Sequence, residues 1–227
     1  MNSLVSVIWS STGRKLLNGV TGLFLCIFIV IHLIGNLVLY AGPKPFNLYA
    51  HFLEGMTGIV IALEIGIAIG FLVHMITAVI VWISKLRARP VSYKKVKGAG
   101  SNSHRTFSSL TMIYTGVLLG IFTVIHLIDF KFGTEYTTVY NGQEVRDLYR
   151  LVIEVFSQGW YTIFYIAIMI LLGFHLRHGF WSAFQSLGVS HPKYSPFIYA
   201  VGYLFAIIMA VGFFIIPIWA YLTGGVQ

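Results

Sequence analysis

The sequence predicts an all-α, polytopic membrane protein: five transmembrane helices in a single membrane domain over residues 1–227. Three observations predict it. The 227 residues are 57% hydrophobic and only 10% charged, with a mean hydropathy of +0.83, and no water-soluble domain hides that much apolar surface. The apolar residues gather into five runs near the ~20 residues that a helix needs to cross a bilayer, without the alternating ten-residue segments of a transmembrane barrel. Two stretches nearly repeat each other: residues 27–34 read IFIVIHLI and residues 121–128 read IFTVIHLI.

Residues 1–15 form an amphipathic lead-in ending in Arg14 and Lys15. The first span covers about residues 17–40. It is too long for a cleaved signal peptide and lacks a small-residue cleavage site, so it reads as a retained helix. Gly42, Pro43 and Pro45 break it, and residues 46–55 read as a short connection holding His51 and Glu54. The second span covers about 56–84. The loop at 85–105 then carries Lys85, Arg87, Arg89, Lys94, Lys95, Lys97 and Arg105 with no acid. The third span covers about 107–128. A polar connection at 129–154 holds Asp129, Glu135, Glu144, Asp147 and Glu154. The fourth span covers about 160–184, and a turn at His191-Pro192 leads to the fifth, about 196–222.

Charge sets the expected orientation. With the N-terminus in the cytoplasm, the inner segments hold Arg14, Lys15, the seven basic residues of 85–105, Arg177 and Lys193, and no acid. The outer segments hold Lys44, Lys131, Arg146 and Arg150 against six acids, Glu54, Asp129, Glu135, Glu144, Asp147 and Glu154. The basic inner face suits anionic lipid headgroups or a cytoplasmic partner. Cys26 is the only cysteine, which excludes disulfides, thiolate-held clusters and C-x-x-C-H haem attachment.

Four histidines fall inside spans, one on each of the first four helices: His32, His74, His126 and His175. An ionisable residue at membrane depth is costly and marks a functional site by default. Helices one and three run outward and carry His32 and His126 toward their ends, which puts both in the outer half. Helices two and four run inward and carry His74 and His175 past their midpoints, which puts both in the inner half. At 1.5 Å per residue the two levels lie roughly 10–15 Å apart. A single such histidine is explained by an interhelical hydrogen bond. Four, paired by depth, point to axial ligation of two haem b groups, each held between imidazoles from different helices. The first four spans are therefore expected to form a haem-binding bundle. Gly66 and Gly70 precede His74 at four-residue spacing, and Gly22 and Gly116 occupy matching positions of the repeat, where small residues make room for a macrocycle or simply for close helix packing. His178 lies three residues past His175 on roughly the same face, nearer the inner surface, where a haem propionate could meet it. Arg14, Lys15, Arg177 and Lys193 are further propionate candidates or plain interfacial anchors. His104 and His191 fall in inner loops.

With these residues on the page, the chain resembles a known family: the five-helix, two-haem, single-polypeptide cytochrome b membrane anchor of succinate:quinone oxidoreductases (succinate dehydrogenase or fumarate reductase). The resemblance covers essentially the whole chain. Its most specific parts are the spacing of His32, His74, His126 and His175 and the segment GFHLRHGFWSAFQSLG at 173–188. It implies that His74 and His175 ligate the inner, proximal haem and that His32 and His126 ligate the outer, distal haem. It also implies a cytoplasmic flavoprotein subunit with covalent FAD, an iron–sulfur subunit, and a membrane quinone (menaquinone or ubiquinone) as reaction partner, in a bacterial cytoplasmic membrane. The chain itself would carry electron transfer and quinone chemistry only, as part of the respiratory chain and the tricarboxylic acid cycle. Quinone reduction needs a proton donor. Glu54, Glu64 and His51, on the outer side, are the candidates. Some relatives carry a proton-path glutamate two residues before the fourth-helix ligand; here that position is Gly173.

Two alternatives stand beside this reading. One is a dihaem b anchor serving a hydrogenase, formate dehydrogenase or nitrate reductase. The other is a transporter whose histidines bind a metal or relay protons, although the repeat here is parallel and lacks the broken helices common in transporters.

Overall fold

The structure is a computed structural model that describes residues 6–7, 9–88 and 107–224, with side chains in the last stretch from 111 onward. Arg89, Lys94, Lys95, Lys97, His104 and Arg105 of the basic loop, and residues 1–5 and 8 of the lead-in, lie outside the described residues. The described chain forms helix α1 (Ser11–Leu37), a 3-10 turn (Val38–Ala41), α2 (Pro43–Gly55), α3 (Thr57–Arg87), α4 (Phe107–Phe130), strands β1 (Thr137–Tyr140) and β2 (Gln143–Arg146), α5 (Leu148–Phe156), α6 (Gly159–Ser186) and α7 (Ser195–Gly224). Five of the helices, α1, α3, α4, α6 and α7, are long and apolar enough to cross a membrane.

Local chemistry starts and stops these helices. Ser10 caps α1, its hydroxyl accepting from the Gly13 N–H at 3.0 Å. Arg14 and Lys15 therefore lie in the first two turns of this long apolar helix and are not part of a separate lead-in. Residues 43–55, expected as a break and a connection, are helical. Pro43 opens α2, where its missing N–H costs nothing and its fixed φ is already helical. Gly42, at φ +95°, makes the turn that lets α2 fold back.

The polar connection after α4 also has structure the sequence expectation lacks. Asn141 (φ 53°) and Gly142 (φ 79°) form the tight turn of a hairpin whose register pairs Thr137 with Arg146 and Tyr140 with Gln143. Asp147 caps the amphipathic α5 by accepting from the Arg150 N–H. Tyr136 lies under the Arg150 guanidinium, 4.1 Å from ring centroid to Cζ. Its hydrogen bond to Glu154 favours the neutral phenol and pushes its pKa above the ordinary value.

Asn47 ties this cap to α2. It is fully buried, donates to Asp147 at 2.8 Å and accepts from the Tyr149 N–H at 2.9 Å. Asn47→Ala leaves a backbone donor unsatisfied, at a cost of about 1–3 kcal/mol. The expected result is a lower thermal unfolding midpoint in detergent, with the five long helices retained by circular dichroism.

The bundle is apolar on the outside, the inverse of a soluble protein. Ile27, Ile59 and Ile69 are 62%, 62% and 57% exposed, whereas the interior polar residues Thr77, Thr115 and Thr162 are buried. The central helix is α6, which packs against α1, α4 and α7, while α3 leans on α1. Close approach is built in: a Cβ at Gly212 would stand 2.6 Å from the Leu33 side chain, so α7 can only meet α1 there without one. Charge is segregated along the bundle. All seven acids lie on α2, on the start of α3, or between the end of α4 and the end of α5. Among the described residues the opposite end holds Arg14, Lys15, Lys85, Arg87, Arg177 and Lys193 and no acid.

Candidate functional site: four histidines at two levels

His32 on α1 and His126 on α4 meet across the bundle with ring centroids 5.8 Å apart and planes at 88°. Each ring stacks on the phenylalanine one turn earlier on its own helix: Phe28–His32 at 5.4 Å and Phe122–His126 at 5.6 Å. The near-identical sequences thus build near-identical local geometry. Phe213 of α7 lies against His32, and Phe130 and Tyr165 lie against His126.

The other two histidines sit at the second level. His74 Nδ1 lies 3.2 Å from the Asn18 carbonyl and 3.4 Å from the Thr21 hydroxyl. His175 Nδ1 lies 3.1 Å from the Thr115 hydroxyl. Both hydroxyls can spend their own hydrogen on carbonyls of their own helices, Thr21 on Leu17 and Thr115 on Thr111 or Met112. They are then left as acceptors, so Nδ1 of each histidine carries the proton and Nε2 presents its lone pair. His175 lies within electrostatic reach of both His74 and His178.

A glycine faces each of these rings. A Cβ on Gly22 would stand 3.1 Å from His74 Cε1, and one on Gly116 would stand 3.3 Å from His175 Cε1. Thr21-Gly22 and Thr115-Gly116 occupy equivalent positions of the repeat, so the same dipeptide seats both second-level histidines. Asn18 adds a second tie, accepting from the Thr77 hydroxyl at 3.1 Å. Neither Asn18 nor the two threonines belongs to the sequence-derived site. Extending the repeat backwards from the histidines by ten or eleven residues is the signal that finds the threonines.

The donor set fits a metal held between paired imidazoles. A metal bonded to two imidazole nitrogens at about 2.0 Å each sets the rings about 6 Å apart, close to the spacing of His32 and His126. His126 Nδ1 is buried without a hydrogen-bond partner, a cost of about 1–3 kcal/mol unless a ligand shares the site. At the second level the Nδ1 partners are the kind that orient a ligating histidine and leave Nε2 free for a metal. Thr115→Val keeps the shape and removes the acceptor. If His74 and His175 hold a haem, its affinity in this variant is expected to fall about 10–100-fold, read as loss of one haem on dilution or detergent washing.

The other glycines behave differently. A Cβ on Gly70 would strike Phe24 at 2.8 Å and one on Gly120 would strike Met75 at 2.9 Å, whereas Gly66 faces open space. Gly173 is closed by Ala210 of α7, which a Cβ would approach to 2.9 Å.

The propionate candidates divide. His178 lies within electrostatic reach of Lys85 near the C-terminal end of α3. Arg177 stands two residues, about 200° of helix, from His175. It turns to α7 instead, with its guanidinium 5.2 Å from the Tyr203 ring and 3.5 Å from the Tyr199 hydroxyl. Arg14 folds back on the Ser10 carbonyl, and Lys15 is exposed. His191 Nδ1 accepts from the Lys193 N–H within the α6–α7 turn.

On the acidic end, His51 and Glu54 lie 3.9 Å apart on one face of α2, and His51 reaches Gln143 at 2.8 Å. With Glu135, Glu144 and Arg146 they line an open cleft of about 440 Å³. Glu64 lines no part of it. Glu64 pairs with Lys131, just past the end of α4, at 2.5 Å, both side chains about half exposed. That pairing answers the cost of a carboxylate near lipid. Of the three proposed proton donors, the structure thus brings His51 and Glu54 together and leaves Glu64 apart. Compared with family models, with curated proteins and with solved structures, the chain matches none.

Proposed function

We propose that the chain is the membrane anchor and dihaem cytochrome b subunit of a succinate dehydrogenase or fumarate reductase, in a bacterial cytoplasmic membrane. In this reading it passes electrons between an iron–sulfur subunit and membrane quinone, and a flavoprotein with covalent FAD completes the complex on the inner side. The observation that carries the proposal is that four histidines, one from each of four helices, sort into two sets: His32 faces His126 with ring centroids 5.8 Å apart, and His74 and His175 lie within electrostatic reach of each other. When bound, a haem b at each level supplies one-electron transfer at a potential the protein can tune.

The chain's own residues supply everything else. His74 and His175 offer Nε2 because Asn18, Thr21 and Thr115 hold Nδ1. His32 and His126 face each other without a charged residue between them. Gly22 and His32 are ten residues apart on α1, so the two levels are about 15 Å apart along the helix. The lipid-facing isoleucines and leucines keep water from both pairs. The cations of the inner end suit an acidic face on the iron–sulfur partner. At the outer end Glu54 and His51, which line the open cleft, would give protons to a quinone at the membrane edge.

A reduced-minus-oxidised spectrum of the purified protein tests the core of the proposal: a b-type α-band with two haems per chain is expected, and a protein without that band refutes it. Co-purification tests the partner. A flavoprotein with covalent FAD supports the succinate assignment; a molybdenum or nickel subunit replaces it with another quinone-linked oxidoreductase. Glu54→Gln is expected to slow quinone turnover while both haems stay, and unchanged turnover moves the proton-donor role to Glu64.

A further inference from the structure

Asp129 sits in the last turn of α4, three residues after His126. Its Oδ2 accepts hydrogen bonds from the Tyr161 hydroxyl at 2.5 Å and the Tyr165 hydroxyl at 2.6 Å. The two tyrosines are one turn apart on α6 and converge on a single oxygen. Phe122, Phe130, Phe156 and Phe164 surround Tyr165, which is 4% exposed. Among the described residues no lysine or arginine forms an ion pair with Asp129. Its charge is held by neutral donors, which stabilise a carboxylate without cancelling it. His126 is within electrostatic reach of that charge, and its Nδ1 has no partner to shield it. A tie between α4 and α6 needs only one hydrogen bond. Two phenols on one carboxylate oxygen fix an anion in place.

We propose that Asp129, clamped by Tyr161 and Tyr165, is an electrostatic positioning residue for the outer histidine pair: it holds one negative charge beside the redox group on His32 and His126 and lowers that group's reduction potential. This rests on the dihaem reading above. A fixed anion favours the more positive, oxidised state. At about 10 Å and an effective dielectric near 20, a unit charge changes the electron-uptake equilibrium roughly tenfold.

The test is a potentiometric titration of haem absorbance in the purified protein, in complex with its partners if they co-purify. His74→Ala, which keeps only the outer haem, assigns the waves. In Asp129→Asn the outer wave is expected to move positive by a factor of roughly ten in the equilibrium, about 59 mV for one electron, with the inner wave unmoved. Asp129→Glu is expected to stay near the wild-type potential. A purely structural tie would lower stability and leave the potential alone, so an unmoved outer wave, or two waves moving together, overturns the proposal. If Asp129→Asn does not retain the outer haem, Asp129→Ser removes the same charge with less bulk and is read instead. Loss of the outer haem in both neutral variants shows that Asp129 builds the site rather than tunes it, and overturns the proposal as well. A wild-type protein without b-type haem sinks the dihaem reading before any variant is made, and this proposal with it.

Discussion

On the proposed dihaem reading, replacing His74 or His175 with alanine is expected to leave one haem per chain in place of two, with succinate oxidation uncoupled from quinone. The two rings are seated alike: each presents Nε2 from a different helix, and each has its Nδ1 fixed by a partner on a neighbouring helix, Asn18 of α1 or Thr115 of α4. Removing either imidazole halves the axial ligation of that level and leaves a cavity where the ring stood. The outer pair is built on separate contacts, His32 against Phe28 and Phe213, His126 against Phe122 and Tyr165. The outer haem is therefore expected to persist. Haem content by the pyridine haemochrome assay, normalised to protein, reads the result. Retention of two haems in either variant shows that the pairing by level is wrong. Thr115→Val shares the readout but acts through orientation, so its loss is partial where that of His175→Ala is complete.

On the same dihaem reading, Gly22→Leu is expected to cost the haem at the His74 level while every histidine remains. A Cβ at this position already stands 3.1 Å from His74 Cε1, tighter than ordinary contact, so alanine asks the ring to give by a few tenths of an ångström. Leucine adds three carbons where the ring now lies. The imidazole then rotates away from the Asn18 carbonyl and Nε2 no longer points into the bundle. Overpacking of this kind costs about 1–3 kcal/mol in a packed interior, within what a membrane bundle of this size tolerates, so the variant is expected to fold with one haem. Gly58→Leu is the control: nothing stands within 4 Å of a Cβ there, and both haems are expected to stay. Equal haem content in wild type and Gly22→Leu would show that the ring's seat does not govern ligation.

Much of the architecture was legible because it follows from local quantities. The length of each apolar run fixes five long helices, and the ends found lie within a few residues of those expected, except where α1 begins earlier, at Ser11, because of the Ser10 cap. The hairpin at 137–146 is missing from the expectation although Asn141-Gly142, flanked by TTVY and QEVR, carries its signal. Four-residue strands inside a polar connection are too short for alternation to stand out. Helix α2 was hidden for the opposite reason: Pro43 and Pro45 read as breakers, whereas proline at the first helical turn starts a helix.

The site divides in the same way. The sequence alone determined that four imidazoles lie within the long apolar runs of four helices, and that helix direction sorts them into two levels, because position along a helix follows from a fixed rise. It also determined the separation of acidic and basic ends. Only the tertiary structure decided what each ring touches: that Asn18 and Thr115 hold the inner pair, that Arg177 turns to α7, that Glu64 is taken by Lys131, and that Asp129 is gripped by two phenols of α6. Depth is a one-dimensional property that a chain carries in its order of residues. The partner of a side chain depends on how helices far apart in sequence rotate and lean to fill the space between them, and no single helix encodes that.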